Sequence, residues 1–224
     1  PLHSSAASDV YKRQAYIGAS MKKIGIQGIE GSFSEEAAKS YCNKFDIKEF
    51  ELEYLISSMN VLDGLTSEAI DIGIFAMENA QGGVVIESVE ALAKNQCKII
   101  DMFYVEISQN LLAKDGIALG DIEEIHSHEQ ALKQCKDYLA EKFWSKKLVE
   151  EDDTAQAAQD LAEGRLSGNT AVIASKNSAE KYGLNIIESD IHDLKKNLTL
   201  FLAVERIDSN ESVSYTHLTL PTNV

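Results

Sequence analysis

Short apolar runs alternate with helical stretches along almost the whole chain, and this alternation restricts the fold more than any other feature. Residues 23–27 form an apolar run that passes through a glycine turn into a helix opening at Ser32. Strands are predicted at 50–56 and 69–77, helices at 59–68 and 85–94, and a loop at 78–83. Strand, helix, strand, helix at these lengths implies parallel βαβ units, because parallel neighbours need a crossover that a helix supplies. The second half repeats the grammar without the sequence. An extended stretch at 98–113 is followed by strands at 123–127, 147–149, 170–175 and 199–205, with helices at 129–142, 154–163 and 176–182. No linker rich in Gly, Pro or Ser separates the halves, so two lobes must be joined by crossing strands rather than a tether. Residues 98 onward supply the first crossing and 186–190 the second. Lobe 1 is therefore expected to comprise 21–104 and 188–206, and lobe 2 to comprise 105–187. The expected fold class is α/β, two-lobed, with mostly parallel sheets flanked by helices and a ligand cleft between the lobes.

The two ends do not belong to this pattern. Asp9 to Gln14 back-translates to DNA whose reverse complement, in a shifted frame, gives Val213 to Leu218. This inverted repeat resembles the transposon end used in sequencing libraries, so residues 1–14 and 213–224 are read as library-adapter artefact, with natural sequence from Met21 to near Glu211. Both prolines, Pro1 and Pro221, lie in these flanks. The formal charge is -15, or -16 once Asp9, Lys12 and Arg13, together +1, are set aside. Such an acidic chain is a poor partner for nucleic acid or an anionic membrane. No apolar run approaches a membrane span and residues 4–20 lack a signal-peptide core, which points to the cytoplasm. Cys42, Cys97 and Cys135 are odd in number and far apart, and read as buried free thiols.

Four clusters of polar residues sit where strands give way to helices. Gly25, Gly28 and Gly31 precede Ser32, and Glu35 three positions later completes a capping-box pattern with Glu36 beside it. A glycine turn feeding a helix start can hold an anion, although the spacing matches neither a dinucleotide fingerprint nor a P-loop. Glu78-Asn79-Ala80-Gln81-Gly82-Gly83 follows a buried strand, at the carboxyl end where ligands bind in parallel sheets; a polar turn capping the helix at Val85 is an equal reading. His126-Ser127-His128-Glu129-Gln130 ends a strand and starts a helix. Two histidines one residue apart invite a metal, but no third ligand stands at a recognisable spacing, so a hydrogen-bonded histidine and a helix cap are expected. Asp153-Thr154 before an alanine-rich helix reads as an N-cap.

Taken in order, Gly28-Ile29-Glu30-Gly31-Ser32-Phe33, Glu78-Asn79-Ala80, Ser127-His128-Glu129-Gln130-Ala131-Leu132-Lys133-Gln134-Cys135, Asp153-Thr154-Ala155, Tyr182-Gly183-Leu184 and Asn197-Leu198-Thr199-Leu200-Phe201 resemble the successive signatures of the prephenate dehydratase family. The resemblance covers nearly all of 21–204. It implies a fold like that of a type II periplasmic binding protein, no metal or organic cofactor, and conversion of prephenate to phenylpyruvate with loss of water and carbon dioxide in phenylalanine biosynthesis. It also implies Thr199 at the reacting centre, with Ser32, Glu78, Asn79, Gly83, His128, Gln130, Thr154, Asn197 and Phe201 around the substrate. A threonine hydroxyl is far too weak an acid to be a conventional proton source, so Thr199 is expected to act as a positioned hydrogen-bond donor.

The chain departs from the family pattern at several positions. Ile29, Ala76 and Glu129 stand where proline is usual, Ala80 where serine is, and Leu200 where arginine is. An arginine there would offer a rigid fork to a carboxylate, a charge-assisted bond worth roughly 1.5 to 3 kcal/mol. Lys195, Lys196 and the helix starts at Ser32 and Val84 are the nearest substitutes, although the lysine pair reads first as solvated. Leucine near this point also resembles the short prephenate decarboxylases, which usually lack the Glu-Asn pair present here as Glu78-Asn79. A binding module that keeps the cleft without chemistry is the third alternative. The family further implies a homo-oligomer, and a phenylalanine-binding ACT domain after a linker beginning at Arg206-Ile207-Asp208.

Overall fold

Two βαβ units open the fold. β1 (Lys22–Ile26), α1 (Phe33–Lys44), β2 (Phe50–Tyr54), α2 (Ser58–Thr66) and β3 (Ile72–Asn79) follow in order, and β1 pairs in parallel with both β2 and β3. The computed structural model describes residues 21–207; the flanks read as adapter, and Asp208 to Glu211, lie outside them. β3 turns into the two-residue β4 (Gly83–Val84) and then α3 (Ile86–Lys94). β5 (Lys98–Glu106) leaves this lobe, and the chain returns much later as β11 (Leu198–Glu205), inserted antiparallel between β3 and β5. The first sheet therefore runs β2-β1-β3-β11-β5, with β4 paired to β3.

The second lobe holds β6 (Asn110–Ala113), β7 (Glu124–His128), α4 (Glu129–Gln134), α5 (Lys136–Lys142), β8 (Lys147–Glu151), α6 (Thr154–Ala162), β9 (Thr170–Ala174), α7 (Lys176–Tyr182) and β10 (Asn185–Glu188). Its sheet runs β10-β6-β9-β7-β8, parallel among β7, β8 and β9 and antiparallel where β6 joins β9 and β10. Each sheet is thus parallel along its βαβ side and antiparallel where crossing strands join it, the arrangement of a two-lobed α/β fold.

Both sheets are covered on both faces, which is why their central strands are apolar without alternation. In the first lobe Ile24, Ile26, Ile74 and Phe201 pack against Ala37, Ala38 and Tyr41 of α1. On the opposite face Phe75, Leu202 and Val204 pack against Val61, Leu62 and Leu65 of α2. The second lobe repeats this, with Ile125 and Ile173 under Leu132, Leu139 and Phe143, and Leu112 and Val172 under Ala157, Ala158, Leu161 and Ala179. Burying one such large side chain is worth about 1.5–3 kcal/mol, so each lobe has its own stabilising core.

Four local expectations are corrected. Residues 80–83 are not an open loop: Asn79 pairs with Gly83 in a hairpin, closed because the Asn79 Oδ1 accepts from the Gln81 and Gly82 amides. Gly83 sits at φ +75°, a conformation that a side chain disfavours. The helix expected over 129–142 is broken at Cys135, where φ -112°, ψ 19° departs from helical geometry; this bend lets α5 pack Leu139 and Phe143 into the core while Gln134 stays at the cleft. Residues 186–190 begin as β10, because Ile186 and Ile187 pack into the second lobe. The crossing falls after Glu188, which pairs with Leu111 and so belongs to the second sheet. The capping box at Ser32 does not close: the Glu35 carboxylate takes the Gly31 amide at 2.6 Å, and Ser32 Oγ, although buried, has no partner among the described residues.

Candidate active site

Between the lobes lies a cavity of about 460 Å³, walled by the carboxyl ends of the parallel strands and by helix starts from both lobes. From the first lobe come Gln27, Ser32, Ser34, Asn79, Gly83 and Thr199; from the second, His128, Gln130, Gln134, Asp153 and Thr154. Among the described residues the lining includes the carboxylates Glu87, Asp152 and Asp153 and no lysine or arginine. Two of these acids are occupied. Asp153 caps α6 by accepting from the Ala155 and Gln156 amides at 2.7 and 3.1 Å, and Glu87 accepts from the Ser58 amide at the start of α2 at 3.1 Å.

Partial positive charge can reach this cavity only from a helix start. The first amides of α1, at Phe33 and Ser34, have no acceptor within the helix, and the helix dipole adds partial positive charge there. Ser32, in the same wall, is 5% exposed, and its Oγ has no partner among the described residues. The acids that follow it are engaged elsewhere. Burial would raise Glu35, but hydrogen bonds from Lys39 and the Gly31 amide hold it below its ordinary value. Glu36 is pushed up by burial, less the opposing effect of the Ser175 side chain and Asn177 amide at the start of α7.

The glycine turn also fastens the lobes. Gly31 O accepts from Ser175 Oγ at 2.8 Å and Ser178 Oγ at 2.9 Å, Tyr182 donates its hydroxyl to Glu30 O at 2.7 Å, and Lys181 pairs with Glu30. Gly31 combines φ +86° with a position where a Cβ would come within 3.2 Å of Ser178 Oγ and 3.3 Å of Tyr182.

At the floor of the cavity three carboxamides form a head-to-tail ring. Asn79 Nδ2 donates to Asn197 Oδ1 at 2.9 Å, Asn197 Nδ2 to Gln134 Oε1 at 2.9 Å, and Gln134 Nε2 to Asn79 Oδ1 at 3.0 Å. Gln109 also donates to Gln134 Oε1, at 2.9 Å, while its own Oε1, buried in the cavity wall, has no partner among the described residues. Asn79 Nδ2 gives its other proton to Thr199 Oγ1 at 2.8 Å, so Thr199 accepts and its own proton remains to be donated.

Ser32, Asn79, Gly83, His128, Gln130, Thr154, Thr199 and Phe201 of the expected set line the cavity. Asn197 stands behind the wall, fully buried in the amide ring. Glu78 does not join them: it is exposed on the opposite side of β3 from Asn79, because successive strand residues point to opposite faces. His128 caps α4, its Nδ1 accepting from the Gln130 amide at 3.2 Å, and His126 hydrogen-bonds Glu151 and Glu124. Lys195 lies in a separate hollow with Glu106, Ser108, Asp190 and His192.

The prephenate dehydratase family model matches residues 24–209. The chain belongs to the prephenate dehydratase family. It is 31% identical over 176 residues to the prephenate dehydratase of Methanocaldococcus jannaschii, covering 78% of this chain and 61% of that protein. It is 30% identical over 209 residues to arogenate dehydratase/prephenate dehydratase 2 of Arabidopsis thaliana, covering 92% of this chain and 52% of that one. The chain thus spans only part of the curated relatives it matches. Among solved structures, the prephenate dehydratase of Arthrobacter aurescens, in complex with L-Phe, is similar with a TM-score of 0.76 and 26% identity, over 84% of this chain and 61% of that one.

Family membership makes the side of β11 on which Leu200 stands important. Leu200 pairs with Glu78 and Tyr104 and is absent from the cavity lining that contains its neighbours Thr199 and Phe201. Gln109 and Gln134 are lining residues that the sequence reading did not select. For Gln134 a signal existed, since it follows Gln130 by four residues in the same motif and so shares its helix face. For Gln109 there was none; it sits just beyond the crossing strand, and only the folding of the second lobe brings it to Gln134.

Proposed function

We propose that this chain is the catalytic domain of a prephenate dehydratase, converting prephenate to phenylpyruvate, carbon dioxide and water in phenylalanine synthesis. The observation that carries the reading is Thr199: its hydroxyl accepts from Asn79, is 6% exposed and lines a cavity of substrate size. Prephenate carries a ring carboxylate and, across the ring, a hydroxyl. When the carboxylate leaves as carbon dioxide, its bonding pair enters the ring, the C–O bond breaks, and the departing oxygen takes up one proton from water. A fixed donor to that oxygen stabilises the charge that develops on it. Ser32 and the first amides of α1 provide the anchor for a carboxylate, and Gln130, Thr154 and His128 supply polar contacts from the other lobe. Glu78 is left out of the substrate-binding set. The site asks for no metal: its task is orientation and exclusion of water around a substrate whose aromatisation drives the reaction.

The same reading carries a homo-oligomer, a cytoplasmic location and a following ACT domain from the family resemblance. Incubation with prephenate should produce the ultraviolet absorbance of phenylpyruvate, and Thr199→Ala should lower kcat about 10²- to 10³-fold, as loss of one preorganised donor does elsewhere. A decarboxylated product without aromatic character would replace the reading with the decarboxylase one. Saturable binding without turnover would leave only a binding module.

A further inference from the structure

The amide ring is asymmetric in origin: Asn79 and Asn197 belong to the first lobe and Gln134 to the second. Its direction is also determined. The backbone amides of Gln81 and Gly82 can only donate, and both point at Asn79 Oδ1, at 3.0 and 2.8 Å. That side of the Asn79 carboxamide must therefore be oxygen, and the other side must be the nitrogen that faces Asn197 and Thr199. Gln134 reads the same way round, because Asn197 and Gln109 both donate to its Oε1, leaving its nitrogen for Asn79.

From this geometry we infer that Gln134 is a positioning residue which, on closure of the lobes, completes the carboxamide ring and thereby holds Thr199 as a hydrogen-bond donor to the substrate. It rests on the reading of Thr199 given above. When the lobes are apart, Asn197 Nδ2 has no acceptor on Gln134, and Asn197 is free to rotate and compete with Thr199 for the two protons of Asn79. With Gln134 in place, Asn197 is held by both ends. Asn79 then gives one proton to each partner, and Thr199 is left with a single role, outward donation. The donor is set only when water has been excluded by closure.

Gln134→Glu isolates this role, because a carboxylate still accepts from Gln109 and Asn197 but cannot donate to Asn79 Oδ1. Oxygen then faces oxygen and the ring breaks at one bond. Protonation of the introduced carboxyl restores a donor, so activity should return as the pH falls. The expected result is a kcat about tenfold or more below wild type at pH 8, the cost of one lost bond to a buried group, with the ratio closing towards pH 5. The KM change should be smaller than the kcat change. Equal kcat at every pH, or a loss that does not vary with pH, overturns the inference while leaving the dehydratase reading intact if Thr199→Ala is inactive. If the wild-type chain itself does not turn prephenate over, or the variant does not fold, the ring is read directly from the side-chain amide protons of Asn79, Gln134 and Asn197 by NMR of the wild-type protein. Slow exchange of all three supports it, and rapid exchange at Gln134 overturns it.

Discussion

On β11, Thr199 and Phe201 line the cavity while Leu200, between them, stands opposite Glu78 on β3 and Tyr104 on β5. An arginine at position 200 would therefore meet the exposed Glu78 carboxylate across the strands before it could meet a ligand. Cross-strand pairs of opposite charge are worth about 0.2–1 kcal/mol. Leu200→Arg is thus expected to raise thermal stability slightly and to leave kcat and KM for prephenate essentially unchanged in steady-state assays. A fall in KM of about tenfold, the worth of one charge-assisted bond, would place this position in the binding site after all. At this scale the sequence points to Thr199, Asn79 and Ser32, and all three line the cavity. It misplaces Glu78, because a motif records adjacency along the chain whereas a strand sends neighbours to opposite faces.

α1 carries two adjacent carboxylates with opposite tendencies. Glu35 is held below the ordinary 4.5: burial opposes this, but hydrogen bonds from Lys39 and the Gly31 amide outweigh it. Its contribution to stability is present above 4.5 and is lost as the pH falls through the lowered value. Glu36 is held above 4.5 by burial, so its contribution is present below 4.5 and is lost as the pH rises through the raised value. Glu36→Gln should therefore raise Tm at pH 7, and Glu35→Gln should lower it, each by about 2–4 °C if the effect is about 1 kcal/mol in a domain of this size. Both differences should shrink in melts recorded below pH 4.5, and a Glu36→Gln gain that persists there would show another cause. The elements themselves were largely legible. Asp153 and Ser175 cap α6 and α7 as side chains of their type do, whereas the break at Cys135 has no Gly or Pro to announce it.

Two α/β lobes of independent core meet around Gly31, whose carbonyl takes two serine hydroxyls from the opposite lobe. Gly31→Ala would place a methyl against Ser178 and Tyr182 and impose a side chain on φ +86°, a conformation costing about 1–2 kcal/mol. The lobes should part without unfolding. Small-angle scattering should then show a larger radius of gyration with unchanged circular dichroism, and kcat/KM should fall about tenfold. A variant with wild-type dimensions and activity would remove Gly31 from any role in closure. Tyr182 and Lys181 fasten the neighbouring Glu30, so the fastening does not rest on one bond.

The alternation of apolar runs with helices was enough to determine two α/β lobes joined by crossing strands, because each run buries both faces and each helix must cover one. Motif order was enough to determine the family and pointed to part of the cavity wall. Tertiary structure alone decided which side of β11 Leu200 occupies, that 80–83 is a hairpin, and that Gln109 and Gln134 meet Asn79 and Asn197. Hydrogen-bond partners drawn from four distant segments leave no periodic trace in a chain. The bonds from Gln134 to Asn79 and Asn197 exist only where the two lobes meet.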